Sequence, residues 1–337
     1  MTLRSVLGLL AAAVALLGTS ACTAGGSPAA PAQTRLTVGL SYIPDVQFSP
    51  FYVAAERGYF AEAGVSVELR HHGEAEELFG ALANGTEDVV FASGDEIVQA
   101  RSAGQDVLSI GTVYNDYPAA LIVPEDSPIR SAGDVAGRTI GVPGPFGQSY
   151  FALLALLGQS GLGPGDVRIE HIGYTQQAAL ASGRVDAVMG YVNNDAVRFD
   201  AAGFPVRTIS PFPAGRQALV GPALAASSAA VQAKPEAMRA MQAALARAID
   251  DILADPAGAL PDAEAHIPTL VTDRARADAL ATLQATLPLL EPDGAGPRFR
   301  NDPAAWREMI DFMREQDLLG DRTVLVEEVL TNELLPT

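Results

Sequence analysis

Apolar and polar positions along this chain alternate in short blocks, and the blocks read as strands and helices in turn. Leu36 to Leu40 has the pattern of a buried strand, followed by the polar loop Ser41 to Phe48. A helix then starts with Ser49 as N-cap and Pro50 in its first turn, and stops at Gly64. Val65 to Leu69 is predicted as the next strand, Glu74 to Asn84 as a helix ended by Gly85, and Val89 to Phe91 as a short buried strand. Ser93-Gly94-Asp95-Glu96 opens another helix that ends near Gly104. Strands follow at Val107 to Val113 and Ala119 to Val123, the second crossing toward another lobe. The scheme then recurs: strand Thr139 to Val142, a Pro/Gly-rich loop, helix Tyr150 to Gln159, strand Val167 to Ile172, helix Thr175 to Ser182 and strand Ala187 to Met189. Tyr191 to Asp195 opens a helix running to Ala202, and Val206 to Ile209 leads back to the first lobe. Beyond Gln217 to Ala225, which reads as extended, helices are predicted at Lys234 to Ala254, Asp273 to Thr286 and Pro303 to Glu315.

The recurrence extends to residue identities. Ala81 to Phe91 aligns without gaps on Ala179 to Met189, with six of eleven positions identical, and Thr37-Val38-Gly39-Leu40 aligns on Thr139-Ile140-Gly141-Val142. Two such units imply two similar α/β lobes facing each other across a cleft, where the carboxyl ends of parallel strands bind small ligands.

Thr37 to Pro44, Phe51 to Phe60 and Gly64-Val65 resemble the opening of solute-binding proteins in the thiamine-pyrimidine and alkanesulfonate group. Asp134 to Val142 resembles the start of their second lobe, and Leu180 to Ala187 the helix-to-strand step after it. The resemblance spans roughly residues 35 to 225. It implies a type II periplasmic binding protein: an α/β fold of two Rossmann-like lobes joined by a hinge, with the ligand cleft between them. It also implies a monomer that delivers a small molecule to the permease and ATPase subunits of an ABC importer, without a cofactor. The expected lobes are residues 35–125 with 206–337, and 126–205, hinged near Leu121 to Pro124 and Val206 to Ser210.

The N-terminus sets the expected compartment. Arg4, the apolar run Val6 to Leu17 and the small residues before Cys22 form a signal segment over residues 1–21, too short to span a bilayer. Cys22, the only cysteine among 337 residues, resembles the lipidated cysteine of a bacterial lipobox, although Thr19 stands where leucine is usual. Residues 22–34, rich in Ala, Gly, Ser and Pro, suit a flexible tether. An extracytoplasmic, lipid-anchored protein follows. A net charge of −18 makes nucleic acid an unsuitable partner.

The loops after the strand ends supply the candidate ligand contacts: Tyr42, Asp45, Gln47, Phe48, Asp95, Glu96, Tyr117, Pro145, Phe146, Gly147, Gln148, Tyr174, Tyr191, Asn193, Asn194 and Asp195. Aromatic faces stack on planar heterocycles, carboxylates accept paired hydrogen bonds from an amino-pyrimidine edge, and amides offer both donor and acceptor. The set contains no Arg or Lys. That favours a thiamine pyrimidine precursor or a flavin over an alkanesulfonate, which helix N-termini at Gly94 and Gly147 would otherwise have to hold by backbone N–H alone. Asp95, Glu96 and the Asn193–Asp195 run also suit plain helix capping. A competing class with the same fold is the thiamine pyrimidine synthase, which needs a Schiff-base lysine in the cleft. The single lysine, Lys234, lies outside the repeated units, and the Cys-rich segment of that enzyme is missing. His71 and His72 point to opposite faces of a strand and do not suit one metal ion, although His72 can reach the cleft.

Overall fold

The computed structural model describes residues 33–73, 76–212, 218–291 and 296–336. The signal segment, Cys22 and nearly all of the tether lie outside the described residues.

The strands are β1 (Thr34–Leu40), β2 (Val65–His71), β3 (Val89–Ser93), β4 (Leu108–Thr112), β5 (Ala119–Pro124), β6 (Thr139–Val142), β7 (Arg168–His171), β8 (Ala187–Tyr191), β9 (Val206–Ile209) and β10 (Pro222–Ala226). They form two five-stranded sheets, ordered β2-β1-β3-β10-β4 and β7-β6-β8-β5-β9. In each sheet the first three strands are parallel, and the fourth is the strand that has crossed between lobes and runs antiparallel to both neighbours. Buried on both faces, β3 and β10 need no polar alternation, and all five residues of each are buried.

Helices α1 (Ser49–Glu56), α2 (Tyr59–Glu62), α3 (Gly80–Ala83) and α4 (Gly94–Ser102) belong to the first lobe, and α5 (Gly147–Gln159), α6 (Gln176–Ala181) and α7 (Asp195–Ala201) to the second. The chain then returns to the first lobe through α8 (Ser228–Ala233), α9 (Pro235–Ala254), α10 (Leu260–Glu264), α11 (Asp273–Leu290), α12 (Pro303–Glu315) and α13 (Val326–Val329). One apolar core joins β1, α1, α9 and α11. A second runs without a break from Val90 and Ile97 in the first lobe through Tyr117, Leu219 and Val220 to Ile140, Phe151 and Met189 in the second. The lobes therefore share packing at their junction.

The repeated residues do the same work twice. Gly85 and Gly183 take φ of 77° and 71°, the left-handed conformation that ends a helix with little strain only in glycine. The next amide turns back on the helix in both lobes, Thr86 N–H to Ala81 C=O at 2.9 Å and Arg184 N–H to Ala179 C=O at 3.1 Å. The Asp88 and Asp186 carboxylates then accept the Thr37 and Thr139 amides at 3.0 and 2.7 Å, tying the turn before β3 to β1 and the turn before β8 to β6.

Two expectations are corrected. Residues 119–124 and 206–209, expected in the first lobe and as its hinge, pair with each other in the second lobe's sheet as β5 and β9. A hydrophobic pattern shows that a strand is buried but not which strand it pairs with. The first crossing lies just outside, at Val113 to Pro118, and the second falls between β9 and β10. The helix expected over Glu74 to Asn84 is helical, among its described residues, only at α3.

Replacing Asp186 by Ala removes the acceptor of the Thr139 amide, an exposed bond, and is expected to cost about 0.5–1.5 kcal/mol in urea unfolding. Asp88→Ala should cost more, because Lys234 Nζ, 2.7 Å from Asp88 Oδ1, loses its partner as well. Two neutral substitutions would refute the shared role.

Candidate functional site

The loops leaving the carboxyl ends of β1, β3 and β4 face those leaving β6, β7 and β8 around a cavity of about 880 Å³. Of the residues singled out from sequence, Tyr42, Gln47, Phe48, Glu96, Phe146, Gly147, Gln148, Tyr174, Tyr191, Asn194 and Asp195 share its wall. No Arg or Lys is present among the described lining residues.

Asp45, Asp95, Tyr117, Pro145 and Asn193 are not on the wall, and four of these five brace the structure instead. Asp45 Oδ1 accepts Gln47 N–H at 3.2 Å, and its Oδ2 accepts Arg198 Nη2–H at 2.6 Å across the lobes. Asp95 is fully buried and receives the Ser93 hydroxyl, the Tyr117 hydroxyl and, at 2.7 Å, the Glu96 N–H. The Tyr117 oxygen also lies 2.9 Å from the Gln148 carbonyl of the second lobe. Asn193 Nδ2–H donates to Thr286 Oγ1 in α11 at 2.9 Å. Pro145 is exposed on its loop.

The wall is assembled across the lobes. The Tyr42 and Tyr174 rings meet edge to face with centroids 4.6 Å apart. Tyr42 is positioned from behind: His71 Nδ1 lies 2.9 Å from the Tyr42 carbonyl, and His71 Nε2 lies 3.0 Å from the Tyr52 hydroxyl. Burial lowers the pKa of His71. The neutral ring therefore donates from Nδ1 to the carbonyl and accepts the tyrosine proton at Nε2.

Glu96 joins the lobes. Its Oε2 accepts Ser93 N–H at 2.9 Å and lies 2.8 Å from Ser93 Oγ, closing a capping box on α4. The same carboxylate approaches the backbone N–H of Gln148 at the start of α5, which favours its charged form. Gly147 has φ of 74°, and Glu96 Oε1 lies 3.1 Å from where a Cβ would stand on it, so the position suits glycine on both counts. Loss of solvation raises the pKa of Glu96 and, with the Glu96 charge second, raises that of Asp95 to about 7. Burial likewise raises Asp195 to about 6, against the Tyr191 N–H it accepts.

Five residues of the wall carry a buried polar atom without a protein partner: His72 Nδ1, Gln105 Oε1, the Tyr114 hydroxyl, Gln148 Nε2 and Asn194 Oδ1. The Tyr191 hydroxyl donates to Gln148 Oε1, so the Gln148 amide presents Nε2, a donor without a protein partner. Asn194 Oδ1, an acceptor, also lacks one. Both side chains are buried, at 4% and 6% exposure. Buried polar atoms of this kind need an explanation, and a bound molecule supplies it.

Sequence reasoning missed Phe91, Tyr114, Gln176 and the segment Leu318 to Gly320 on the wall. Tyr114 was within reach, because it directly precedes the Asn115–Tyr117 run at the end of a strand. Leu318 to Gly320 follow α12, far along the chain, and carry no local signal. His72 does reach the wall, with Nε2 2.8 Å from the buried Glu87 carboxylate. Lys234 does not: its Nζ is held by Asp88 and, at 3.0 Å, by the Arg35 carbonyl.

The buried acid pair gives a signed pH dependence. Between the ordinary aspartate value of 3.8 and about 7, the folded chain holds a proton at Asp95 that the unfolded chain has lost. Stability from this site is complete at low pH and declines as pH rises through that window. Asp95→Asn removes the titration, so the variant should gain on the wild type between pH 4.5 and 7.5 in denaturant unfolding. A stability difference that does not change with pH would refute the assignment.

Comparison with known proteins agrees with this architecture. The family model described as NMT1/THI5 like matches residues 45–259. The chain is 34% identical to the riboflavin-binding protein RibY of Chloroflexus aurantiacus over 94% of its own length and 91% of that protein's. It is 24% identical to the formylaminopyrimidine-binding protein of Halalkalibacterium halodurans, over 95% and 96% of the two chains. Among solved structures, the alkanesulfonate-binding protein SsuA from Xanthomonas axonopodis pv. citri bound to MOPS superposes with a TM-score of 0.69 at 20% identity, covering 88% of this chain and 99% of that one. That likeness shows a periplasmic-binding-protein fold. The chain belongs to the NMT1/THI5-like family.

Proposed function

We propose that this chain is the solute-binding component of an ABC-type importer and captures an uncharged heteroaromatic vitamin or vitamin precursor. The observation that carries this reading is the wall of the cleft: aromatic rings from both lobes, an unpartnered amide donor and acceptor, and no cation among its described residues. A planar ring would stack on tyrosine or phenylalanine while its edge satisfies Gln148 Nε2 and Asn194 Oδ1. A cavity of about 880 Å³ lies near the upper end of the range for small-molecule sites and leaves room beyond a single pyrimidine ring. With the likeness to RibY, this favours a flavin over the formylaminopyrimidine.

Binding without chemistry fits the residues present. Lys234, the only lysine, is tied to Asp88 and is not on the wall, which disfavours a Schiff-base enzyme. Cys22 is proposed to carry a lipid that holds the chain at the extracytoplasmic face, where permease and ATPase subunits would receive the ligand.

Thermal unfolding with riboflavin, thiamine, its hydroxymethyl- and formylaminopyrimidine precursors and aliphatic sulfonates tests the reading. A ligand at 100 times its dissociation constant should add about 2.7 kcal/mol. Stabilisation by a heterocycle, riboflavin above the others, is the expected result, and stabilisation by sulfonates alone would overturn it. Tyr174→Ala should weaken binding about tenfold, the scale of one lost aromatic contact. Cys22→Ser should move the protein from the membrane to the soluble fraction; persistence in the membrane would refute the anchor.

A further inference from the structure

Helix N-termini are ready anion sites, because their first N–H groups lack partners within the helix. Around this cleft the chain's own carboxylates take up such groups. On α4, Glu96 Oε2 accepts Ser93 N–H at 2.9 Å and Asp95 accepts Glu96 N–H at 2.7 Å. The decisive case is α5, thirteen residues long, whose N-terminus belongs to the other lobe. There Glu96 Oε1 lies 3.1 Å from the Cβ position of Gly147, the first residue of α5, and the carboxylate approaches the backbone N–H of Gln148.

Capping α4 does not require this second contact, since Ser93 already closes the box. The contact places a carboxylate where a phosphate or sulfonate would have to sit. An anion brought there would displace Glu96 or meet it at contact distance, and the described wall holds no Arg or Lys to offset the repulsion. Gln148 meanwhile keeps its side-chain Nε2 free, so the position still serves a neutral acceptor.

We propose that Glu96 is a specificity-determining residue: it reserves the N-terminus of α5 for itself and excludes phosphorylated and sulfonated ligands, leaving the uncharged vitamer as the substrate class. The substrate class rests on the heteroaromatic reading above; the exclusion of anions does not.

Titration calorimetry with riboflavin and riboflavin 5′-phosphate tests the proposal on the wild-type chain. Like-charge juxtaposition of a few kcal/mol corresponds to a preference for riboflavin of about 30-fold or more, and equal affinities would overturn the proposal. In Glu96→Gln, which keeps the shape and removes the charge, the ratio of the two affinities should narrow about tenfold or more; an unchanged ratio in a variant with native circular dichroism would also overturn it. A second arm needs no vitamin. Millimolar MOPS should leave the wild-type melting temperature unchanged and raise that of Glu96→Gln, and equal responses count against the proposal. If neither flavin binds while the MOPS arm behaves as expected, the vitamin reading fails and the role of Glu96 stands.

Discussion

Everything about this cleft depends on how the chain crosses between the lobes. Each crossing strand enters the other sheet between two strands already running the opposite way, β5 between β8 and β9 and β10 between β3 and β4. A strand in that position has partners on both sides, so neither lobe can exist without a segment whose neighbours in sequence lie in the other. Short connections then hold the carboxyl ends of the parallel strands toward each other. That is why the loops after β1, β3, β6 and β8 share one cavity although they are far apart along the chain. The continuous apolar core through Tyr117, Leu219 and Val220 reinforces the junction.

Within that frame the charge pattern of the cleft follows from the shortage of cations. An acidic chain with one lysine has few ways to neutralise carboxylates near a cavity. It uses backbone N–H groups at helix starts, supplemented by hydroxyls of Ser93 and Tyr117. Where those are not enough, the proton stays on, as at Asp95. Arginines drawn in are consumed by carboxylates: Arg198 by Asp45 at the lobe boundary, and Arg70 by Glu76 and Glu87. The described wall of the cleft is thus polar without offering an anion an Arg or Lys to pair with.

Much of this was legible in the sequence because it is local. The repeat around Gly85 and Gly183 is visible as letters because glycine alone fits the left-handed helix end at little strain and aspartate supplies the strand-tying acceptor that follows. Loop aromatics after strand ends were found for the same reason. Partner choice was not legible: Asp45 and Asn193 look like ligand contacts until Arg198 and Thr286, respectively 153 and 93 residues away, are placed beside them. Asp95 and Glu96 are adjacent and chemically alike, yet one turns inward to Tyr117 and the other outward to α5. Nothing in a one-dimensional pattern separates them, because helix phase at a terminus is set by what packs against it.

The lobes already touch through the protein's own groups: Tyr42 on Tyr174, Asp45 on Arg198, and Glu96 on the Gln148 amide. These contacts bear on how a ligand could hold the cleft shut. A ligand shifts such an equilibrium only by its difference in affinity for the two states. Contacts that pre-stabilise closure reduce what the ligand must supply, so affinity rises while the contrast between free and bound forms falls. On the proposed role in transport that contrast matters, since a permease would have to distinguish loaded from empty protein. Exposed pairs such as Asp45–Arg198, whose arginine side chain is half exposed, contribute little by themselves. On the proposed reading, the arrangement leaves the larger share to a ligand's contacts with both walls at once, since each lobe supplies aromatic rings to the cleft.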